Sequence, residues 1–291
     1  MKKEFALIGA GRLGRTLGRL LMRHGYAPTG LACRSLRSAR QARAFIGAGE
    51  PTASNVQAAA RAGLVLIATP DREVVPVGRE LARARLPWAG RVVAHCSGAV
   101  SSAALEPLRR RGALVASVHP LASIAASRSD TDFQGTPFAI EGDPRAVRVL
   151  RRLVLDLGGL PVTIPREAKA LYHLIACTLS NDLVAFLAAG FEAARGLGLG
   201  TRQAARLYLP LIRGTIENVA RLGPVKALTG PISRGDIATL RLHSDALRTL
   251  PADLRRLHRI LALRSSGLAL QARTITPEMA GRIARLLSTL P

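Results

Sequence analysis

The hexapeptide GAGRLG at residues 9–14 constrains the fold of this chain more than any other stretch. It directly follows a short apolar run at residues 4–9 and opens an amphipathic, helix-like pattern at residues 13–24. In a strand–turn–helix setting, the spacing G-x-G-x-x-G permits a tight turn, lets the backbone approach a pyrophosphate and lets helix and strand pack closely. The N–H groups and positive dipole of the helix N-terminus then face the phosphates. The pattern predicts a dinucleotide site formed by Gly9, Gly11, Arg12, Leu13 and Gly14.

The first half of the chain alternates strand-length apolar runs with helix-length segments, which predicts a doubly wound, mainly parallel α/β sheet. Further strands are expected at residues 30–34, 63–69, 91–95, 113–118, 137–140 and 160–164, with helices at 55–62, 74–84 and 144–157. After residue 165 the pattern is helical only, at residues 167–196, 201–222, 236–250, 251–263 and 277–287. We therefore predict a nucleotide-binding α/β domain over residues 1–165 and an all-α domain over residues 166–291.

The charge of the chain raises the question of a nucleic-acid partner. Its 291 residues carry a formal net charge of +23, but only 3% of them are aromatic and thus able to stack on bases. Lysine occurs only at positions 2, 3, 169 and 226, so the excess is arginine, and it is spread along the whole chain. We interpret it as a solvated surface and expect no nucleic-acid partner.

Cysteine usage and hydropathy favour a cytoplasmic protein without a metal. Cys33, Cys96 and Cys177 are far apart and form no C-x-x-C pair, so neither a disulfide framework nor a metal site is expected. The glycines of the hexapeptide interrupt the first apolar run, which argues against a secretion signal. Arg, Gly and Pro are expected to break the other apolar runs before they reach the length of a membrane span.

Position 34 bears on the choice of dinucleotide. Sites that prefer NAD carry an acidic residue about twenty residues beyond the motif, where it binds the ribose 2′-hydroxyl. This chain has Cys33-Arg34-Ser35 there, with no acid. Arg34 can pair with a 2′-phosphate through charge-assisted hydrogen bonds, and Ser35 can donate another. The sequence therefore predicts NADP(H), unless Arg34 is simply one more surface arginine.

Polar residues follow three successive predicted strands. Thr69 and Pro70 end one run, His95 and Ser97 end the next, and His119 ends the third. In such sheets ligands lie outside the carboxyl ends of the strands, so these residues are expected to line the nicotinamide side of the site.

The first long helix of the second half carries unusual polar groups. At about 100° per residue, Lys169, His173 and Ser180 fall within roughly 40° of one another, and Asn181 lies at the edge of that face. Burying such groups on an apolar helix is costly unless they serve a site. They are the donors that a carbonyl or imine reductase needs, since one group must protonate the product atom while others hold the substrate. The alternative is a solvated lysine beside a satisfied core histidine.

These motifs resemble those of a known bacterial family. The resemblance covers nearly the whole chain and rests on GAGRLG, ATPD, HCSGA, SVHPLAS, KALYHLIACTLSN and the loop ALTGPISRGD at residues 227–236. That family joins a Rossmann-like NADP-binding domain to a helical domain of unknown function. It is similar to pyrroline-5-carboxylate, ketopantoate and 6-phosphogluconate reductases and dehydrogenases. The resemblance implies a helical dimerisation domain, hence a homodimer, and NADPH-dependent reduction of a small metabolite.

The resemblance also implies roles for individual residues. Lys169 maps onto the acid/base position, and we expect His173, Asn181 and Ser97 to position the substrate. The related enzymes have Asn four residues after the lysine, where this chain has His173, so the substrate anchor is left open. We expect reduction of a small, acidic keto or imino compound, ketopantoate-like, at a cleft between the domains. His119 is a second candidate proton donor.

Two other functions stay open at this point. One is an NADP-loaded redox sensor without catalysis, which would not need a proton donor beside the nicotinamide. The other is a prephenate-type dehydrogenase, because the His119-Pro120 pair is similar to a segment of those enzymes. In the loop at residues 227–236, Thr229, Arg234 and Asp236 could close over an anionic substrate, or Asp236 could simply cap the next helix.

Overall fold

An eight-stranded sheet organises the N-terminal part of the protein in the computed structural model, which describes residues 3–122 and 132–288. The strand order is β3-β2-β1-β4-β5-β6-β7-β8, and all neighbouring pairs are parallel except β6 with β7. The strands are β1 (Glu4–Ile8), β2 (Ala27–Ala32), β3 (Glu50–Thr52), β4 (Leu64–Ile67), β5 (Val92–His95), β6 (Leu114–Pro120), β7 (Pro137–Gly142) and β8 (Leu160–Thr163). The predicted fold class, a doubly wound and mainly parallel α/β sheet followed by helices, is confirmed.

Helices connect the strands and then continue alone. Those among the strands are α1 (Arg12–Arg23), α2 (Leu36–Ile46), α3 (Asn55–Ala59), α4 (Asp71–Arg83), α5 (Glu106–Arg109) and α6 (Pro144–Asp156). Those after the sheet are α7 (Lys169–Cys177), α8 (Leu183–Ala193), α9 (Thr201–Ala227, broken at Gly223), α10 (Ile237–Leu247), α11 (Ala252–Gln271) and α12 (Pro277–Ser288).

The central strands are buried on both sides. In β4 and β5 every residue is buried, as expected for parallel strands with helices on both faces. One apolar core, around Phe5, Leu66 and Phe138, fills one face of the sheet, and a second core, around Ile67 and Trp88, fills the other. The strand order reverses between β1 and β4, and the carboxyl ends of the strands there form the crevice in which such sheets bind ligands.

Two features of the sheet were not predicted. β3 is only three residues long, contains Pro51 and lies at the edge of the sheet, so it lacks the apolar run that marks the other strands. β6 runs on to Pro120 and pairs with β7 in antiparallel register, which places Ser117 opposite Glu141.

The helical stretch predicted over residues 167–196 is present but irregular. A 3₁₀ turn (Arg166–Ala168) precedes α7, a π-helical turn (Thr178–Asp182) joins α7 to α8, and another 3₁₀ turn (Ala194–Leu197) ends it. This stretch also corrects the expectation that every apolar run is too short to span a membrane. By length and composition, the helix Arg166–Leu197 could span a membrane, with a mean hydropathy of 1.7 over its apolar window. The apolar run is this long because no Arg, Gly or Pro occurs between residues 167 and 189. None of the window is buried inside the structure. The test rests on length and composition only, and the core helix of a soluble protein passes it as well.

The chain divides into two compact units, Met1–Asp182 and Leu183–Pro291. The second unit has its own apolar core, to which Leu240, Ala269 and Ile283 contribute. α7 belongs to the first unit, together with the sheet. The predicted boundary at 165/166, drawn where strands give way to helices only, stays a prediction.

Candidate active site

The glycine-rich turn has the geometry that a dinucleotide requires. Gly9 has φ +90°, and a Cβ atom there would lie 2.8 Å from the backbone of Ala68. A Cβ at Gly14 would overlap the carbonyl oxygen of Gly9, so the first and third glycines are needed for packing. At Gly11, by contrast, no atom of the described residues lies within 4 Å of the Cβ position. Gly11 therefore borders open space, where a ligand can approach the backbone.

The N-terminus of α1 completes this cradle. Gly11 is its N-cap, so there is no side chain to accept hydrogen bonds from the first turn, and that turn contains no acid. The backbone N–H groups of Arg12 and Leu13, at the start of a helix, need acceptors that the helix itself cannot supply. An anion satisfies them and interacts favourably with the helix dipole. The residues present thus fit the pyrophosphate of a dinucleotide.

Arg34 and Ser35 follow β2 at the same edge of the sheet. The side chain of Arg34 is exposed and in none of the ion pairs found in the described chain. Ser35 is the N-cap of α2, where its Oγ accepts from the Ser38 N–H at 3.2 Å and donates to Ser38 Oγ at 3.0 Å. Ser35 therefore has a structural role that the sequence analysis did not anticipate, and the phosphate contact of both residues stays a prediction.

The ends of β4 and β5 carry two buried polar atoms without partners. Among the residues described, Thr69 Oγ1 and His95 Nε2 are buried and make no hydrogen bond. Such groups are rare in folded proteins and are usually satisfied by water or a ligand. Pro70 is exposed and is the N-cap of α4, while Ser97 Oγ accepts from the backbone N–H groups of Ala99 and Val100 at 3.2 and 2.9 Å. Ser97 thus shapes the turn after β5, and its hydroxyl hydrogen is still free to donate.

Lys169 is the buried cation of this unit. Its side chain is 1% exposed, and its Nζ donates to Ser117 Oγ at 2.7 Å. Burial lowers the pKa of the amine to about 8, opposed by the nearby carboxylate of Glu141. At neutral pH the amine is therefore still mostly protonated. Because its pKa is lower than that of an exposed lysine, it gives up the proton more readily. The sequence analysis placed Lys169 in a site, and the structure places it at the carboxyl half of β6.

Two histidines and a tyrosine lie next to this amine. His119 Nδ1 and the Tyr172 hydroxyl are 2.9 Å apart, and the ring centroids of His119 and His173 are 6.0 Å apart. The His173 ring packs against Gly98, where a Cβ would overlap it. We call His119, Lys169, Tyr172 and His173, with Ser117, the amine cluster. Burial raises the pKa of Tyr172, and burial together with the charge of Lys169 lowers that of His119 to about 4.

His95 is neutral for the same physical reason. It is fully buried at the end of β5, and burial lowers its pKa to about 4. Its Nδ1 accepts a hydrogen bond from the Ser97 N–H at 3.3 Å, which leaves Nε2 to carry the proton.

Asn181 is not brought to the amine cluster. It is exposed and lies in the π-helical turn, as does Ser180. The estimate that placed Ser180 on the face of Lys169 assumed a regular 100° step, and a π turn changes the helical phase after Thr178. The role of Asn181 in substrate binding stays a prediction without structural support.

In the second unit, Asp236 caps α10. Its carboxylate accepts from the N–H and the hydroxyl of Thr239 at 3.0 and 2.7 Å, and these bonds lower its pKa. The capping interpretation of the loop at residues 227–236 therefore holds. A role for Thr229 and Arg234 in substrate closure stays a prediction.

Sequence reasoning missed Glu141, Ser102 and Arg166. Glu141 is 2% exposed and its two oxygens accept from the N–H and the Oγ of Ser102, both at 2.7 Å. Arg166 Nε lies 3.6 Å from the same carboxylate. The one signal was an acid within the otherwise apolar run of β7, since charged residues are almost never fully buried unless paired.

Among the described residues, no three His, Cys, Asp or Glu side chains come together as a metal site requires.

Comparison with known proteins supports this fold in two ways. Residues 2–120 match the family model of a Rossmann-like domain, and residues 136–265 match that of a domain of unknown function, DUF2520. The second match begins within the sheet, just before β7, and includes Lys169. Comparison with curated proteins found no match.

Solved structures resemble the chain over nearly its full length. A protein of Bacteroides fragilis, provisionally described as an NADP oxidoreductase, is 23% identical with a TM-score of 0.72, covering 91% of this chain and 98% of its own. A reductive aminase of Aspergillus terreus, solved with NADPH and ethyl levulinate, is 16% identical with a TM-score of 0.68 and full coverage of both chains. A pyrroline-5-carboxylate reductase of Coxiella burnetii is 17% identical with a TM-score of 0.58, covering 98% of both. At these identities the likeness establishes the fold.

Proposed function

We propose that this chain, in which a Rossmann-like domain is followed by a DUF2520 domain, is an NADPH-dependent oxidoreductase that reduces a small keto or imino acid. The observation that carries the proposal is the buried amine of Lys169, held by Ser117 near the ends of the strands that follow the glycine-rich turn. Burying a protonated amine destabilises the folded state. In a ligand-binding crevice, such an amine can serve as a proton donor to the ligand. Structural relatives that reduce imines or bind NADPH support the same reaction class.

The cofactor is proposed from the fit of the crevice to a phosphorylated dinucleotide. Gly11 leaves room for the pyrophosphate, the first turn of α1 supplies N–H donors, and Arg34 is an exposed cation that is in none of the ion pairs of the described residues. The neighbours provisionally described as an NADP oxidoreductase, or solved with NADPH, agree with this choice. The chemistry that bound NADPH supplies is hydride transfer to the substrate carbon.

The residues of the amine cluster then handle the proton and the orientation of the substrate. As hydride reaches a C=O or C=N carbon, negative charge or a lone pair develops on the oxygen or nitrogen. Lys169 Nζ donates a proton to that atom, while Ser117 Oγ accepts one of its other hydrogens and fixes its direction. His119 is neutral at physiological pH and hydrogen-bonded to Tyr172, so this pair serves to orient the substrate and is the alternative proton source.

The acidic nature of the substrate is proposed from charge. The formal net charge of +23 raises the local concentration of acidic metabolites near the surface. A carboxylate beside the keto or imino carbon would also match the relative that reduces pyrroline-5-carboxylate.

A homodimer is part of the proposal. Apolar side chains on α7, α8 and the turn between them are exposed in the single chain, among them Leu174, Leu179 (72% exposed) and Val184. Monomeric soluble proteins rarely expose contiguous apolar patches of this kind. A second copy that covers this stretch explains both its composition and its exposure, and we expect residues after 165 to form most of the interface. Three free cysteines suit the reducing cytoplasm that we expect for the dimer.

The function is tested by following NADPH absorbance while the protein is given a panel of 2-keto acids, cyclic imino acids, and ketones mixed with amines. Turnover of a keto or imino acid, with NADPH preferred over NADH, is the expected result. If NADPH binds tightly but no member of the panel is reduced, the redox-sensor alternative replaces the enzyme. If neither cofactor binds, the assignment of the glycine-rich turn is wrong.

A further inference from the structure

Glu141 is a buried carboxylate for which the proposed reaction has no direct use. It lies on β7, opposite Ser117 of β6 in the antiparallel register, and Ser117 is the residue that holds the Lys169 amine. Because directly opposed side chains on paired strands are close neighbours, the carboxylate and the amine are near the same point of the sheet.

The position of this carboxylate is fixed by several bonds. One oxygen accepts from the Ser102 N–H and the other from Ser102 Oγ, both at 2.7 Å. A carboxylate this deeply buried also needs a balancing positive charge. Arg166 offers one at 3.6 Å, but its side chain is 35% exposed and part of its charge is directed to water. Lys169, at 1% exposure, is the cation that shares the burial of Glu141.

Arg166 also connects Glu141 to the start of α7. It belongs to the 3₁₀ turn that leads directly into α7, three residues before Lys169. Its contact with Glu141 therefore ties the start of the helix to β7, and it does so within one turn of the amine.

We propose that Glu141 is a positioning residue, whose carboxylate balances the charge of the Lys169 amine and anchors the start of α7 so that the amine stays protonated and directed at Ser117. The use of that proton in reduction rests on the proposed function. The charge state of Lys169 does not, and it can be measured without a substrate.

Most of the other titratable groups around the amine are neutral at pH 7, which makes Glu141 its main counter-charge. The thiol of Cys96 has a pKa raised by burial to about 12, and the pKa values of His95 and His119 are lowered to about 4, so all three are neutral at pH 7. Tyr172 is neutral as well, since burial raises its pKa. The charged side chains that act on Lys169 are Glu141 on β7 and Asp71 at the start of α4, and Arg166 before α7 pairs with Glu141.

The test is a direct titration of the lysines. The chain has only four, at positions 2, 3, 169 and 226, so lysine labelled with ¹³C at Cε gives four resonances, and the variants Lys169→Met and Lys226→Met assign two of them. In Glu141→Gln we expect the Lys169 pKa to fall by roughly one unit, because a nearby opposite charge is lost while the amide keeps the shape. In Arg166→Gln we expect it to rise, because Glu141 loses its other cationic partner and acts on Lys169 alone.

The direction in which the Lys169 pKa moves in Glu141→Gln distinguishes a role in charge balance from a role in packing. If Glu141 only held the structure together, its loss would admit water to Lys169 and raise the pKa towards that of an exposed lysine. A rise, or no change, in folded Glu141→Gln therefore overturns the proposal. Ser102→Ala is the packing control, since it disturbs the anchor and keeps the charge. A fall in Ser102→Ala as large as that in Glu141→Gln would likewise overturn it.

A double-mutant cycle keeps the proposal testable if Glu141→Gln does not fold. That variant leaves the buried ammonium unbalanced, so adding Lys169→Met should restore folding or reduce the loss of stability. A loss of stability that is equal with and without Lys169→Met overturns the proposal. Failure to find any substrate would end the proposed function and leave the titration result standing. If the titration contradicts the prediction, Lys169 can still be the proton donor in turnover, but a group other than Glu141 balances its charge.

Discussion

The amine of Lys169 lies 2.7 Å from the hydroxyl oxygen of Ser117, although 52 residues separate them in the chain. Ser117 is in the middle of β6 and Lys169 is the first residue of α7, so the sheet and the first helix after it meet at this bond. The bond holds the amine at Ser117, whose register partner on β5 is His95, one of the two residues with a buried polar atom that lacks a hydrogen bond. This is the arrangement on which the proposed reduction depends.

The glycine-rich turn allows cofactor binding to be separated from folding. Gly11→Ala places its Cβ in open space, so we expect an unchanged melting temperature and weaker NADPH binding, because the methyl group meets the ligand. Gly14→Ala is the matched variant, and its Cβ overlaps the Gly9 carbonyl oxygen, so both stability and binding should fall. Calorimetric titration with NADPH and thermal unfolding give the two readouts. Unchanged NADPH affinity in Gly11→Ala would contradict the assignment of the turn.

Cofactor choice is tested at Arg34. Arg34→Asp should weaken NADPH binding by about 1–2 kcal/mol, several-fold to a few tens of fold, through loss of the charge-assisted pair with the 2′-phosphate. NADH binding should change less or improve. Arg79→Asp, an exposed site on α4, is the control for the same change in net charge. Equal affinity of the unmodified protein for NADH and NADPH would show that Arg34 does not select the cofactor.

The buried histidine makes the fold sensitive to acid. His95 has a pKa of about 4 in the folded protein, whereas unfolded histidine takes up its proton near 6.5. Between these values the unfolded state binds more protons, so stability that is fully present above pH 6.5 is lost as the pH falls to 4. By linkage this amounts to at most about 3 kcal/mol.

His95→Asn keeps an acceptor for the Ser97 N–H and removes the titrating ring. We expect the free energy of unfolding, measured by urea at pH 7 and at pH 4, to differ less between the two pH values than in the unmodified protein. His24→Asn, at an exposed position, should leave the difference as it was. If both variants lose stability with acid as the parent does, the buried ring is not the group responsible.

The apolar stretch from α7 to α8 predicts the oligomeric state. Light scattering should give a dimer at micromolar concentration, and Leu179→Arg should give a monomer, because it places a charge in the covered surface. Leu155→Arg, at an exposed leucine on α6, should leave the dimer intact. A parent protein that is monomeric at this concentration, or a vesicle-bound protein that needs detergent for solubility, would contradict the dimer.

Local features of the sequence were sufficient for most strands of the sheet and for the glycine-rich turn. The strand–turn–helix around Gly9 to Gly14 and the polar ends of β4 to β6 depend on residues close together in the chain, and their positions follow from the alternation of strands and helices. Lys169 was found because a lysine in an apolar helix is unusual.

Features that depend on distant pairing or on helix irregularity could not be predicted. Glu141 meets Ser102 across 39 residues through an antiparallel strand whose direction no local pattern indicates. The π-helical turn after Thr178 changes the helical phase without a proline or glycine to mark it, so a regular 100° step does not give the position of Asn181 on the helix. Even the short β3 needs its partner β2 before it can be recognised.

The most direct test of the account compares steady-state NADPH oxidation by the parent protein, Lys169→Met and the exposed-lysine control Lys226→Met, on a substrate found in the panel. Loss of the general acid should lower kcat by roughly 10²–10⁴-fold in Lys169→Met while the Kd for NADPH stays within the error of the parent value. Lys226→Met should retain full turnover. In the parent, kcat should decline as the pH rises through about 8, where the amine loses its proton. Full turnover by Lys169→Met would contradict the account and move the proton donor to the His119–Tyr172 pair.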